Sequence, residues 1–563
     1  MADTLSVTAF VVASDAPSDV ITAATAAKVY LGDLIQLCDG TDDDVNINDA
    51  ITALPAGGGV VQLSDGTFDI AHKVTVAQDN VTIQGQGEST VLEANSTLPT
   101  GEFAIQTGGD GWVIRDLVVD GDALAYASGG PFMILVDDAN CQVLNVEIKN
   151  GPMHGIYIQN PADNVLVSEC YIHDNGQSGI TLSADGAQLT GARIVNNVTN
   201  SNGLNTVTSS QDKQGIHIEG HSTYYVVGAL VSGNASTNNE TVGIGVNLAK
   251  DCEFANNRVT DNKGAGIGSL TSERLTVTGN TILNNGTDTA AGYGNGVEFG
   301  DAGTTGVIDS TITGNVIDTH TDFGIAVRAT SARVTITGNT IQENTRVGVI
   351  IAADSEHVAV TNNNIHSAVA NSDGVIVGDA TKITIVGNTI SPARYATLFE
   401  WGAADITVGS NLIESCVVAV RATQDSANIV VDGNRIDTTY GLDIHNTVSN
   451  VSLTSNDLTG TTNPIAWTST SLTWLIRDNR GFATEVSGVA TIVDPATSVT
   501  VTHGMASISG TAPALKDFQA TPTEDINTAS RFWISNAGAT TFDINIDSAA
   551  GSDKDFSWRG FYL

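Results

Sequence analysis

Positive charge is what this sequence has least of: 23 Lys and Arg stand against 62 Asp and Glu, for a net charge of −39. A chain this acidic has no basic face for a phosphate backbone, so no nucleic-acid partner is expected. The surplus of carboxylates favours solubility and leaves room for bound cations, with Ca2+ possible and no other cofactor indicated. Cysteine is also scarce. Cys38, Cys141, Cys170, Cys252 and Cys416 are odd in number and far apart, and none forms a C-x-x-C pair. That excludes a disulfide framework and a cysteine zinc site, and points to buried thiols. Aromatics make up 5% of the chain, and only 11 residues are Pro. No apolar run reaches transmembrane length, so no membrane insertion is expected. The first basic residue is Lys28, so the N-terminus lacks the charged region of a signal peptide. Either a signal has been trimmed or the protein leaves its cell by another route, such as lysis with a virus particle. The expected location is extracellular or virion-associated.

What the sequence has in abundance is one short phrase. LTVTGNTI from Leu275, TITGNVI from Thr311, VTITGNTI from Val334, AVTNNNI from Ala359 and ITIVGNTI from Ile383 are its clearest copies. The anchoring residues are Asn257, Asn280, Asn315, Asn339, Asn363, Asn388, Asn411, Asn434, Asn456 and Asn479, at intervals of 22 to 25 with one of 35. A fixed period in the low twenties marks a solenoid, and apolar residues alternating within each phrase mark its units as strands. Val334 and Ile336 point inward, Thr335 and Thr337 outward. One coil cannot bury its own inner face, so coils stack into a continuous core. A Gly-Asn turn accommodates left-handed backbone, and stacked Asn amides can bond from coil to coil. Weaker matches carry the register upstream through Asn234, Asn197, Cys170, Val146 and Leu117. The expected fold is all-β: a parallel β-helix of about 14 coils. It runs over residues 71–483, between an N-terminal cap (1–70) and a C-terminal domain (484–563).

The ends resemble known families. Cys38–Ile70 reads CDGTDDDVNINDAITALPAGGGVVQLSDGTFDI. An acidic turn precedes an amphipathic stretch over Val45–Leu54, and Gly57–Gly59 stops it before a strand. This segment resembles the entry of the pectate-lyase superfamily, which implies a right-handed β-helix whose open end is covered by a short helix. After Thr484 the period is lost, and alternating phrases such as RFWISNAGATTFDINID suggest a compact β-sandwich. The THG…FWISN…TTF elements resemble small terminal domains of bacteriophage tail and virion proteins. That resemblance implies a tailspike-like layout and a homotrimer.

A second phrase, G-I-x-I-x, follows the turn of successive coils: HGIYIQ, SGITLS, QGIHIE, VGIGVN, AGIGSL, NGVEFG and FGIAVR. Its x positions define two outward rows. One is Tyr157, Thr181, His217, Gly245, Gly268, Glu298 and Ala326; the other is Gln159, Ser183, Glu219, Asn247, Leu270, Gly300 and Arg328. The long intervals Asn197–Asn234 and Asn280–Asn315 place extra loops beside this stretch, and such loops commonly mark a binding face. The pattern reads as an open, flat-floored trough suited to an extended polysaccharide. His217, Glu219, Tyr157 and Lys213 are the candidate catalytic residues. His supplies a proton acceptor near neutrality, and Lys213 can neutralise an acidic sugar. His154, His221, Asp212, Asn247, Glu298, Asp301 and Arg328 are candidates for binding; Glu298, Asp301 and Arg328 equally fit a structural ion-pair cluster. Glu219 and Glu298 stand three coils, about 14 Å, apart. A glycosidase pair needs roughly 5–9.5 Å, so these two do not act together.

Met153–Gly176 resembles the catalytic segment of secreted bacterial mannuronan C-5 epimerases in length and in its HDNG ending. That family's YGFDPHE aligns with His154–Asn160, and its catalytic Tyr, Asp and His fall on His154, Tyr157 and Gln159. None is retained, so the resemblance does not carry epimerase chemistry over. The leading expectation is a polysaccharide-binding and polysaccharide-cleaving β-helix of the tailspike or lyase kind. A non-enzymatic glycan-binding adhesin or virion structural protein is the first alternative, and a secreted hydrolase or epimerase the second. The fold hosts all of them. Outward Ile350 and Ile376, lower in the same row, suggest an apolar stripe that a trimer would bury.

Overall fold

The computed structural model describes residues 7–561, apart from 122–123, 125–129, 207–212, 222, 288–293, 301–305, 392, 446, 468–473 and 507–511. It divides into two compact units, Met1–Val349 and Ile350–Leu563. Asp212 and Asp301 lie outside the described residues.

The first unit begins as a coil, not only as a cap. Strand Thr8–Val12 pairs in parallel with Ile35–Leu37 and with Gly59–Leu63, which in turn pairs with Val81–Gln84. The helix expected before the glycines spans Asp43–Thr52 and buries Ile47, Ala50 and Ile51. Its first turn is fastened to the first coil by carboxylates: Asp43 accepts the Asp69 N–H, and Asp44 accepts those of Ala71 and His72. A second helix, Ser18–Leu31, has no counterpart in the sequence reading. It buries only Ala24, so its weak apolar pattern gave no signal.

From there each coil contributes short strands in parallel register, such as Glu253–Ala255, Arg258–Thr260 and Ile267–Leu270. Val231, Phe254, Val277, Ile312 and Ile336 align on successive coils, all fully buried. The turns number about 18, against the 14 expected. The first coils stack without the Asn phrase, so counting that phrase missed them.

The residue with left-handed backbone is the one before each anchoring Asn. Gly279 (φ 64°), Gly314 (64°) and Gly338 (65°) occupy it, and Asn256 (55°) does so in an earlier coil. This turn tips the following Asn inward. Asn257 Nδ2 donates to Val231 O of the coil below (2.9 Å) and to Asn280 Oδ1 of the coil above (3.0 Å). The same bonds link Asn197, Asn234, Asn257, Asn280, Asn315 and Asn339. The 35- and 37-residue intervals leave this ladder intact. Cys170 heads it, its N–H donating to Asn197 Oδ1. Four of the five thiols are buried, and burial pushes Cys141, Cys170 and Cys416 up to about 12 and Cys252 to about 11.

A second ladder runs five residues further along each coil: Asn175, Asn202, Asn239, Asn262 and Asn285. His320 takes the next rung. Its Nδ1 accepts the Asn285 N–H (3.1 Å), and its Nε2 lies 3.1 Å from Ile282 O, which fixes the Nε2–H tautomer. Burial pushes this imidazole down to about 4.

In the second unit Ile383, Ile406, Ile429 and Val451 align in the same way, and Asn388, Asn411, Asn434, Asn456 and Asn479 continue a ladder of 2.9–3.0 Å amide bonds. The chain ends in two three-stranded antiparallel sheets. Glu485–Ile492, Lys554–Phe561 and Phe518–Pro522 form one, and Ser498–Thr502, Thr541–Ile546 and Phe532–Ser535 the other. Val501, Phe518, Phe542, Phe556 and Trp558 share their core. The apolar stripe expected at Ile350 and Ile376 is not a wet surface. Ile376 is 9% exposed and its neighbour Leu398 7%, and Ile350 is half-buried. The chain itself covers these side chains, so the stripe supplies no argument for a trimer.

Two outcomes follow. Asn257→Ala removes bonds to two neighbouring coils and strands the Asn234 and Val231 groups, so it lowers stability by about 3 kcal/mol or more in thermal or denaturant unfolding. His320 has its pKa depressed in the fold, so the unfolded chain binds the extra proton first. The stability it contributes is complete above about 6.5 and is lost as pH falls towards 4, by about 3 kcal/mol. His320→Asn restores the rung's usual residue, and its melting temperature falls less between pH 7 and 4 than the parent's.

Candidate functional site

The G-I-x-I-x phrases stack in the rows read from the sequence. Tyr157 aligns with Thr181, Thr181 with His217, His217 with Gly245, Gly245 with Gly268, Gly268 with Glu298 and Glu298 with Ala326. In the second row Gln159, Ser183, Glu219, Asn247 and Leu270 align likewise.

The first row is not an open floor. Thr181, His217, Glu298 and Ala326 are exposed by 1, 5, 5 and 0%. The segments that lead into each strand fold back over the row. Gln214 fills the space above Gly245, where a Cβ would collide with its amide, and Val242 covers Gly268. Gly245 therefore admits a neighbouring side chain, and Gly268, half-buried, has Val242 at van der Waals distance. The second row is more open, with Gln159, Glu219, Asn247 and Leu270 half-buried.

Above these rows lies a stack of rings that the sequence reading missed. Phe103 stacks on Phe132 with centroids 5.2 Å apart, Phe132 on His154 at 5.6 Å, and Tyr157 lies 5.3 Å from both Phe132 and His154. Phe103, Phe132 and Tyr157 are half-buried, and His154 is buried. The signal was present: Phe103 and Phe132 open the strands that precede HGIYIQ, in register with it.

The two imidazoles share an environment. His154 Nδ1 lies 3.0 Å from Thr181 Oγ1. Burial, with the nearby His217 adding to it, pushes His154 down to about 3, and burial pushes His217 to about 4. Both are neutral at pH 7. His217 is therefore not the near-neutral proton acceptor expected of an exposed strand. Its Nδ1 is buried without a hydrogen-bond partner among the described residues.

The remaining candidates are dispersed. Lys213 is half-buried, its Cβ packed against Gly203. His221 sits in the turn after its strand, 62% exposed, with Nδ1 3.6 Å from Asp185. Arg328 forms an ion pair with Glu298 at 3.5 Å and lies over the Phe323 ring at 4.9 Å. Asn247 stands beside Glu219 in the second row. Among the described residues no group of three or more His, Cys, Asp or Glu side chains is placed to hold a metal ion. No described helix is long and apolar enough to cross a membrane.

Coils in parallel register, amide ladders and outward rows on one sheet define a β-helix protein. The family model for the right handed beta helix region matches residues 72–229, 192–341 and 323–480, and the chain belongs to that family. Comparison with curated proteins gives no match. Among solved structures, the mannuronan C-5 epimerase AlgE4 A-module of Azotobacter vinelandii is 18% identical. The match covers 69% of this chain and 94% of that one, with a TM-score of 0.34. The Dettilon tailspike protein is 13% identical over 92% and 90% of the two chains (TM-score 0.31). PfbA, a surface adhesin of Streptococcus pneumoniae, is 13% identical over 65% and 90% (TM-score 0.39).

Burial separates the two central candidates. His217→Ala opens a buried site and lowers stability by about 1–3 kcal/mol, whereas Glu219→Ala stays within about 0.5 kcal/mol. Thermal unfolding of the two variants at pH 7 checks this difference.

Proposed function

We propose that this chain is a polysaccharide-binding β-helix protein whose first unit holds an extended glycan across the half-buried rings Phe103, Phe132 and Tyr157 and the polar row Gln159, Glu219 and Asn247. The ring stack carries this reading. Half-buried rings repeating at the coil spacing of about 4.8 Å offer apolar surface against which sugar C–H groups can pack, and the adjoining row supplies hydrogen-bonding groups. The binding requires no cofactor.

Cleavage is the finer part of the proposal. On a uronate-containing chain, β-elimination moves the C5 proton to a base and breaks the C4–O bond, the leaving oxygen taking a proton from an acid, with a cation against the carboxylate. Tyr157 and Glu219 are the groups at the surface that can exchange protons, and Lys213 is the cation at the entry of the same coil. His217 serves as a hydrogen-bond partner from beneath. If it were the base, activity would persist down to about pH 4 and fall below it, because only the neutral imidazole accepts a proton. The closed first row favours a second reading, in which the face binds and does not cut. An extracellular or virion-associated homotrimer fits either version. One apolar surface available for assembly is on the C-terminal sandwich, where Val489, Val493, Phe532 and Trp533 are 41–66% exposed. Light scattering at the mass of three chains tests that assembly.

A panel of neutral and uronic-acid polysaccharides tests the function. Binding should appear for at least one, and Phe132→Ala or Tyr157→Ala should weaken it at least tenfold. New ultraviolet absorbance from an unsaturated uronate identifies a lyase, reducing ends without it a hydrolase, and binding alone an adhesin. No binding to any member overturns the proposal.

A further inference from the structure

The second unit has a cleft of its own, of about 650 Å³, on the outward face of Tyr395–Glu400, Val418–Ala422 and Tyr440–Ile444. Register places Leu398 beside Arg421 and Arg421 beside Asp443, and Glu400, Asp425 and His445 also line or border the space. Both guanidinium groups are already committed. Arg394 holds the buried Asp373 through two contacts of 2.6 and 3.0 Å. Arg421 lies 3.5 Å from Asp443 and donates to the Tyr395 hydroxyl at 2.6 Å. Each also lies over the Tyr395 ring, at 4.6 and 4.9 Å. Glu400 and Asp425, by contrast, form no salt bridge among the described residues. Asp373 and Asp443 thus engage the two guanidinium groups, and the lining carboxylates Glu400 and Asp425 are left as surplus negative charge. Burial and the Asp373 charge hold the Glu400 carboxyl above its ordinary range, which suits it to hydroxyl partners.

Trp401, which follows Glu400 in the chain and lies outside the lining of the cleft, is 58% exposed. Its backbone is left-handed (φ 51°), an unusual conformation for a bulky residue and one that Asn or Gly accommodates more readily. This turn lays the indole against Gly378, where a Cβ would come within 2.7 Å of the ring. The Gly402 N–H then bonds to Gln424 O (2.9 Å), which ties the Trp401 turn to the turn carrying Asp425. An exposed, fixed indole beside a polar cleft offers an apolar face for a sugar ring and carboxylates for its hydroxyls.

We propose that this cleft is a second, separate saccharide site that takes a neutral glycan, with Glu400 and Asp425 as hydroxyl acceptors and the neighbouring Trp401 indole as stacking platform where the glycan runs on past Glu400. Surplus negative charge disfavours uronates, sulfated sugars and phosphates there. No residue is shared with the face of the first unit, so the two sites stand or fail separately.

The test uses the full chain on an array of neutral oligosaccharides (glucans, galactans, mannans and xylans) together with uronic-acid oligosaccharides. At least one neutral class should bind, and Trp401→Asn should weaken that binding at least tenfold. Asn suits the left-handed turn and removes only the ring, and Trp401→Phe should recover part of the loss. Glu400→Gln with Asp425→Asn should also weaken binding, and both comparisons are made in the Phe132→Ala background, so that the face of the first unit does not contribute. Absence of neutral-glycan binding, binding indifferent to Trp401→Asn, or preference for uronates at this site would each overturn the proposal.

Discussion

The structure depends on a buried amide bonding to its own kind in the next coil. An apolar solenoid core tolerates a polar side chain only if every donor and acceptor is matched. Asn meets that condition because its amide both donates and accepts. Asn257 takes the N–H and Nδ2 of Asn234 on its oxygen and gives its own hydrogens to Val231 O and Asn280 Oδ1. A coil slipped by one residue would leave these groups unpaired in apolar surroundings. The ladder therefore sets register, and register sets everything presented on the outer face.

That is how a structural device positions a functional surface. Once Asn234, Asn257 and Asn280 are stacked, Ile244 and Ile267 must align and so must their outward neighbours. The ladder also explains how loops can be added without disturbing the rows. Asn197 and Asn234 remain bonded at a sequence separation of 37 residues, and Asn280 and Asn315 at 35. Chain leaves and re-enters the solenoid at fixed points, so variation is confined to segments beside the sheet. The same segments cover part of the row: Gln214 and Val242 belong to turns between ladder and strand. Which outward residues meet solvent is decided there, not in the strands.

The fold was legible because its signal repeats. Period, alternation and the Gly-Asn turn each recur many times, and each reflects a local rule. The second ladder was equally legible at a constant offset of five residues, with His320 standing in for Asn after Asn285, but HDNG was read only as the ending of the epimerase-like segment. The site was only half legible. Alternation told which residues point outward at Thr181, His217 and Glu298, but burial depends on what folds over them, and a non-repeating turn leaves no periodic trace. The ring stack was missed for a related reason: Phe103 and Phe132 precede the phrase that was being tracked. Trp401 escaped because it sits in a turn outside both repeated phrases.

The central claim is that the outward face of the first unit is where glycan lies. A crystal structure of the chain with an oligosaccharide that it binds tests this most directly. The account predicts sugar rings over Phe103, Phe132 and Tyr157, with hydroxyls bonded to Gln159, Glu219 or Asn247. Sugar found only on the C-terminal sandwich or in the second unit, with that face empty, would contradict it.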